Sequence, residues 1–537
     1  MLRPAFLAPT RVFAVRADVV QVGLLALTLA VMAGTLWGRV RTTGPIIVLA
    51  ATLVAAVGFR HETRRELPRL VVLLVVFGVA WLLRRYGDEV HAHRTCRAVL
   101  AVGLAAAAIL GVPWAWFVRW TSATSFGPVG VAILGVGAPA GALYANATEI
   151  IWAGDTVPVV ATVERMYRAG TRDLSRYLPP SNRPRWDVAG PTPYFVRSEG
   201  SGTYSAYPAG MELFAWPGVM LADALGLDVA DGGIQAWIEK LSAAALGGAC
   251  LALFYLLALR FGSPQAAFAT AWLLALGSAF TTTLGVLLWQ QGGIVFGMLV
   301  ALGVEVGRKP GWKGTLVQGV ACGFMLACRP SAVTFLVPFG LWVLARDWRR
   351  GLLLPLAAAV AYAPWAAMYL AIYGNLFGPS MAVLGNRWSP GENLGGILVS
   401  PGRGLIVYQP WLVLLVGLRA SRPFLAFVAG VTVLHLALVS AWPVWWGGSC
   451  YGSRLVAELI PLAGLLVVKP VEELLASPRG RLLFLTLLIL SFAMHLPCAF
   501  FDAWLWNAWP VCADADPSRL FDWNAPPFAF AMPPGVR

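Results

Sequence analysis

An aspartate directly after an apolar run is the residue best placed to do chemistry. Asp155 stands in the segment Ala-Gly-Asp-Thr-Val-Pro at 153–158, just beyond the apolar run 126–148. A carboxylate in such a position can act as general base for a hydroxyl or an amine. The same spacing of Asp and Pro is typical of a helix N-cap, in which case Asp155 would begin a helix over 156–169. Both interpretations are open from the sequence.

Three arginines in short segments between apolar runs have the chemistry to bind phosphate. Arg329 lies in Cys-Arg-Pro, Arg403 in Ser-Pro-Gly-Arg-Gly, and Arg454 ends the Gly-rich segment 446–454. A guanidinium offers a planar fork of donors, and neighbouring glycines expose backbone N–H groups. Each arginine alone is better explained as a snorkelling or capping residue. As a set beside one carboxylate, they predict a lipid-phosphate site.

Aromatic and amide side chains near these segments are candidates for binding a sugar. Trp289, Gln290 and Gln291 open an apolar run and offer a stacking surface and two amides. An aromatic belt at the membrane surface explains Trp289 equally well. Further substrate-binding candidates are Tyr207, in a turn that enters a helix, Trp446, Tyr451, and Glu149, which with Asp155 could hold a cation.

The composition shows which elements must position these residues. The chain has 537 residues, of which 58% are hydrophobic and only 12% are charged. Soluble domains carry about twice that share of charge, so a soluble enzyme, a disordered protein and a disulfide scaffold are excluded. The net charge of +14 is explained by topology and not by nucleic acid, because Lys and Arg collect in cytoplasmic loops. We predict an all-α polytopic protein whose surroundings are the lipid bilayer.

Apolar runs long enough to approach or span a bilayer recur along the chain, and we count about fifteen. They fall at 19–37, 44–59, 70–84, 98–118, 126–148, 241–259, 264–285, 290–307, 314–328, 331–345, 351–372, 404–418, 423–441, 455–468 and 482–500. We divide the chain into an N-terminal bundle 1–125, a catalytic membrane domain 126–500 with a large loop 149–240, and a Trp- and Pro-rich tail 501–537. The sequence does not fix the role of the first bundle.

The distribution of Lys and Arg predicts the sidedness. If the loop 149–240 lies outside, the loops that follow on the inside carry more Lys and Arg than those on the outside. This orientation requires the segment 207–226 to lie along the membrane, for which its Pro and Gly residues are suited. In this orientation the site faces the outside; the family resemblance described below implies that the membrane is a bacterial inner membrane and that the site faces the periplasm.

The sequence contains none of the common motifs of soluble nucleotide-binding or hydrolytic enzymes. We find no Walker loop, no dinucleotide-binding glycine motif, no zinc-protease motif and no hydrolase elbow. His435 and His495 lie within apolar runs, where we expect satisfied buried residues. The seven cysteines form no metal-binding spacing, although Cys498 and Cys512 could pair. We therefore expect no cofactor and no metal; a divalent cation is possible but not indicated.

The motifs at 153–158, 204–210, 288–292, 328–330, 400–405 and 446–454 occur in one order. In that order the chain resembles bacterial integral-membrane glycosyltransferases of the GT-C superfamily. The resemblance covers roughly 145–525 and is strongest to uncharacterised relatives of protein mannosyltransferases and lipid A aminoarabinose transferases.

The resemblance implies transfer of a sugar from a polyprenyl-phosphate donor to a glycan, lipid or protein acceptor on the outer face of the membrane. It places the catalytic or acceptor-positioning carboxylate at Asp155. Two features depart from many relatives: Thr156 stands where a second acidic residue is common, and Gln291 stands where a His is common. These departures leave the sugar open. The alternatives are a transporter or flippase of lipid-linked saccharide, a polymerase or ligase, and an inactive scaffold.

Overall fold

The described apolar runs are mostly helical, as hydrocarbon requires of a backbone that must satisfy its own hydrogen bonds. The structure is a computed structural model, which describes residues 127–147, 153–178, 193–307, 310–379, 390–500 and 503–530. The helices are α1 (Ala138–Ala147), α2 (Val157–Ala169), α3 (Glu212–Ala224), α4 (Gly232–Ala258), α5 (Pro264–Leu276), α6 (Gln290–Val306), α7 (Trp312–Cys328), α8 (Val333–Arg346), α9 (Trp348–Tyr373), α10 (Pro390–Val399), α11 (Leu405–Tyr408), α12 (Arg422–Ser440), α13 (Ile460–Leu475) and α14 (Pro478–Phe500). The predicted N-terminal bundle lies outside the described residues.

Five helical segments in the described ranges are long and apolar enough to cross a membrane: Gly127–Ala145, Gly232–Ala258, Trp348–Tyr373, Arg422–Ser440 and Pro478–Ala499. The first of them joins α1 to a π-helical segment, Val131–Gly137. Shorter apolar helices lie between these spans. The chain is thus an all-α polytopic membrane protein, with one small antiparallel hairpin, β1 (Val196–Glu199) and β2 (Gly202–Ser205).

One predicted span is wrong. The run 404–418 is the four-residue helix α11 followed by a 3-10 segment, Pro410–Gly417. Proline at 410 has no N–H to donate and ends the α-helix before it. One side of the run packs against the bundle, where Trp411 is fully buried, while Val413 and Val416 are exposed.

Small residues let the spans approach closely. The Cβ of an alanine at Gly248 of α4 would meet the backbone of Gly137, and one at Gly319 of α7 would meet Ala357 of α9. Close backbone approach is the main source of helix association in lipid, where no hydrophobic force acts between apolar helices. Glycines therefore fix α4 against the first span and α7 against α9.

The described part of the large loop is attached to helix α9 by hydrogen bonds. The hydroxyl of Tyr369 in α9 accepts the backbone N–H of Ala209 at 2.7 Å, and the hydroxyl of Tyr373 donates to the carbonyl of Ser205 at 2.6 Å. Buried Glu212 pairs with Arg172. These contacts attach the turn before α3 to the end of a span. Helix α3 rises only about 20 Å, too short to cross the core, and the position of 207–226 along the membrane stays a prediction.

A buried ionic cluster joins four helices away from the large loop. Glu305 of α6 pairs with Arg350 of α9, and with Arg346 of α8 at 3.1 Å. Gln318 of α7 donates to Glu305 at 3.0 Å and accepts from Arg350 at 3.2 Å. Because every member has a charged or amide partner, the cluster offsets the cost of burying its charges.

Replacing Arg350 with Ala is expected to destabilise the bundle. The buried carboxylate of Glu305 would then pair with Arg346 as its remaining arginine, which is more exposed than Arg350. Breaking a buried pair from one side costs about 3 kcal/mol. The measurement is the thermal unfolding midpoint of the detergent-purified protein. The neighbouring Arg349 is exposed, so Arg349→Ala is the matched control. Equal midpoints for the two variants would show that the cluster contributes nothing.

Candidate active site

Asp155 does not cap a helix. It lies in the turn before α2, and the residue adjoining the helix is Thr156, whose hydroxyl donates to the carbonyl of Ala153 at 3.0 Å. The carboxylate of Asp155 instead accepts from the Tyr207 hydroxyl at 2.6 Å and from Nη1 of Arg454 at 3.0 Å. The N-cap interpretation is therefore wrong, and both carboxylate oxygens face residues from distant segments.

Tyr207 fixes one side of this carboxylate. It lies between β2 and α3, in the turn that α9 holds through Tyr369 and Tyr373. Burial, and then the adjacent Asp155 carboxylate, raise the pKa of Tyr207 well above its ordinary value. The phenol therefore stays protonated and donates to Oδ1 of Asp155.

Arg454 fixes the other side. Its side chain is 9% exposed, against 18% for Asp155, and it begins the 3-10 segment Arg454–Leu459. The guanidinium carbon lies 3.8 Å from the centre of the Trp289 ring, in cation–π contact. Trp289 directly precedes α6. Four predicted site residues thus meet at one point: Asp155, Tyr207, Trp289 and Arg454.

Arg329 contacts the same 3-10 segment that begins with Arg454. Its Nη1 contacts Oε1 of Glu458 at 3.4 Å, and Oε2 of Glu458 lies 3.5 Å from Nε2 of His435. His435 also contacts the hydroxyl of Thr334 at 3.0 Å, so it is the satisfied buried residue that the sequence predicts. Glu458 holds Arg329 beside the Asp155 site.

Glu458 is the site residue that sequence reasoning missed. It falls in the apolar run 455–468, four residues after Arg454. An acidic residue within a predicted span is expensive and is a functional candidate by default. That signal was present and could have identified it.

Several buried polar atoms in the described part of the chain have no hydrogen-bond partner, and four of them lie on two segments of this site. They are Nε2 of Gln290, Oε1 of Gln291, Oγ of Ser453 and Nε of Arg454. A buried polar atom without a partner costs free energy and is rare in folded proteins. Their concentration beside Trp289 and Arg454 indicates a place where a polar ligand supplies the missing bonds.

Arg403 is placed differently from the other two arginines. Its guanidinium donates to the carbonyls of Trp446 at 3.0 Å, Gly402 at 2.7 Å and Gly448 at 3.2 Å, and to the side chain of Asn507. These contacts connect the Gly-rich turn to the C-terminal tail. They favour a structural role for Arg403 over the predicted contact with phosphate.

The remaining predicted residues lie around the same turn or outside the described residues. The indole of Trp446 donates to Asp514 at 2.6 Å, and the hydroxyl of Tyr451 donates to the carbonyl of Met494 at 2.6 Å. Glu149 falls outside the described residues.

Cys498 and Cys512 are free thiols, so the disulfide suggested for them is wrong. Within the described residues, no group of three or more His, Cys, Asp and Glu could hold a metal ion.

No protein-family model matches the chain, and no curated protein matches it. Among solved structures, it is similar to the crystal structure of an oligosaccharyltransferase from Archaeoglobus fulgidus in complex with Zn and sulfate. The two share 11% identity with a TM-score of 0.41, over 76% of this chain and 59% of that one. The chain thus spans about three-fifths of the length of that protein. A likeness at this level assigns no activity.

Proposed function

We propose that the chain is a GT-C-type membrane glycosyltransferase. It transfers a sugar from a polyprenyl-phosphate donor to a glycan, lipid or protein acceptor at the outer face of a bacterial inner membrane. The observation that carries this function is the meeting of Asp155, Arg454 and Trp289 at the edge of the large loop. Sugar transfer from a lipid phosphate requires a base for the acceptor and a cation for the leaving phosphate, and Trp289 holds that cation in place.

The reaction needs one proton transfer and one displacement. Asp155 takes the proton of the acceptor hydroxyl or amine, whose electron pair forms the new bond to the anomeric carbon. The bond from that carbon to the phosphate oxygen breaks, and the polyprenyl phosphate leaves with the electron pair. Attack from the face opposite the phosphate inverts the anomeric configuration.

The cations stabilise the leaving group. Negative charge grows on the phosphate as the bond breaks, and fixed donors aimed at growing charge usually give the largest catalytic contribution. Arg454 is held in place by Trp289, and Arg329 by Glu458 at 3.4 Å. The unpartnered amide atoms of Gln290 and Gln291 are available to the sugar hydroxyls. We assign no role in the reaction to Arg403.

The order of the sequence motifs and the distribution of Lys and Arg support the family and the outward orientation of the site. The proposed catalytic domain is 126–500, with the tail packed on it through the hydrogen bond from the N–H of Gly402 to the carbonyl of Leu520 at 3.0 Å. No cofactor is assigned.

A substitution at Gly154 should impair transfer without removing any functional group. An added Cβ would lie 2.9 Å from the ring of Phe195 and closer still to the hydroxyl of Tyr194. Phe195 is fully buried, so the turn carrying Asp155 must shift. A displacement of about 1 Å can lower turnover by about a hundredfold. We expect that loss for Gly154→Ala in a transfer assay.

The matched control is Gly303→Ala in α6, where a Cβ meets open space and alanine favours the helix. Equal turnover of the two variants would contradict the claim that the position of Asp155 is critical.

The test of the function uses proteoliposomes loaded with the polyprenyl-phosphate-sugar fraction extracted from host membranes, together with an envelope extract as acceptor. A transferase releases free polyprenyl phosphate in proportion to the sugar gained by the extract. A flippase or an inactive scaffold leaves every lipid-linked sugar intact. Intact donors after prolonged incubation with folded, inserted protein would overturn the function.

A further inference from the structure

The Asp155 carboxylate is engaged on both oxygens. Oδ1 accepts from Tyr207 at 2.6 Å, and Oδ2 accepts from Arg454 at 3.0 Å. A general base must come within about 3 Å of the proton that it removes. Each carboxylate oxygen has two acceptor positions, so the guanidinium takes up one of the two on Oδ2 and crowds the approach of an acceptor group to the other.

Arg454 is itself only partly satisfied. Its Nη1 donates a hydrogen bond to Asp155, while its Nε is buried without a partner. The side chain also lines a small pocket with Ser453, whose hydroxyl is likewise buried without a partner. Trp289 lies 3.8 Å below the guanidinium and keeps its plane in place. Arg454 thus has donors for an anion that Asp155 alone does not use.

We propose that Arg454 is shared between two partners: it holds Asp155 before the donor binds, and the donor phosphate takes it over, which frees the carboxylate for the acceptor. The donor then binds first and the acceptor second. We call the Asp155–Arg454 contact the latch. This inference rests on the proposed function, because it takes the arriving anion to be the phosphate of a lipid-linked sugar.

The surrounding charges favour this exchange. Asp155 makes one contact with the guanidinium, whereas a phosphate can accept two parallel N–H donors. Arg329, which pairs with Glu458 of the same 3-10 segment at 3.4 Å, provides a second guanidinium for a phosphate. The bond from Tyr207 to Oδ1 does not involve Arg454, so the freed carboxylate keeps its position when the latch opens.

The latch predicts that removing the negative charge of Asp155 strengthens binding of the donor headgroup, although removal of a site residue usually weakens binding. The probe is radiolabelled farnesyl phosphate, measured by scintillation proximity on the purified full-length chain. Asp155→Asn and Asp155→Ala should each bind it about tenfold more tightly than wild type, since close charge pairs at interfaces couple at this level or above. Farnesol, which lacks the phosphate, should bind all three proteins equally.

The matched control is Asp223→Asn, on the same loop in α3, where Asp223 pairs with Arg168 at 3.0 Å. Its affinity for farnesyl phosphate should equal that of wild type. A gain in this control as large as that of Asp155→Asn would overturn the latch, since it would then reflect overall charge. A gain for inorganic phosphate without one for farnesyl phosphate would overturn it as well.

Two results separate the latch from the function. If wild type prefers farnesyl phosphate to farnesol while both Asp155 variants bind it equally or more weakly, the latch is wrong and the lipid-phosphate donor stands. If no protein prefers farnesyl phosphate to farnesol, the donor class itself is wrong and the latch falls with it.

Discussion

Replacing Asp155 with Asn is expected to lower sugar transfer by on the order of 10²–10⁴-fold, the contribution of a positioned base. The amide oxygen can still accept from Tyr207, so the turn before α2 keeps its position. The amide cannot take the acceptor proton and loses its charge partner Arg454. The measurement is the turnover of purified protein with saturating donor, together with its unfolding midpoint.

The control for this prediction is again Asp223→Asn, which makes the same chemical change at a carboxylate 35% exposed. It should retain the turnover of wild type. If Asp155→Asn is well folded and fully active, Asp155 is not the base, and the assignment of the site fails at its first step.

Replacing Arg454 with Gln should have the second large effect, a loss of on the order of 10²–10³-fold in turnover, comparable to the removal of one donor at a developing oxyanion. The leaving phosphate then has only Arg329 as a cation, and Trp289 has no cation above it. Arg454→Lys keeps the charge but not the planar fork of donors. It should fall between Gln and wild type in the same assay.

Arg419→Gln provides the matched control. Arg419 is 71% exposed and pairs with Glu473 at 3.2 Å, in the loop before α12. Its removal should leave turnover unchanged. Turnover of Arg454→Gln within a few-fold of this control would show that Arg454 does not stabilise the leaving group.

Much of the fold follows from the sequence because lipid allows few alternatives. Each of the five long spans matches an apolar run of the sequence. The exception at 404–418 has a specific cause, since hydropathy alone does not distinguish an apolar 3-10 segment packed on a bundle from a span. The small residues that join α4 to the first span are visible in the sequence, but their partners are not.

The site was less predictable. Asp155, Trp289 and Arg454 are conspicuous by residue type and by position at the ends of apolar runs, and they do meet. The contact between Asp155 and Arg454 joins residues 299 positions apart, and no local pattern encodes it. For the same reason the spacing of Asp155 and Pro158 suggested a cap, since local rules cannot show that a distant cation binds the carboxylate.

Arg403 and Arg454 also show that local sequence does not determine the partners of a side chain. Both are buried arginines beside glycines. The first donates to the carbonyls around it, whereas the second pairs with a carboxylate and keeps an unpartnered Nε. The difference depends on where the tail and the loop fold back, which residue type and spacing do not specify.

The most direct test of the central claim is made in the host cell. A deletion strain is complemented with wild type or Asp155→Asn, and envelope glycans and polyprenyl-phosphate sugars are compared by mass spectrometry. The account predicts that one glycan loses a sugar in the deletion, regains it with wild type and stays incomplete with a well-expressed Asp155→Asn protein, while the lipid-linked sugar accumulates. Full restoration by Asp155→Asn would contradict the account and favour a transporter or a scaffold.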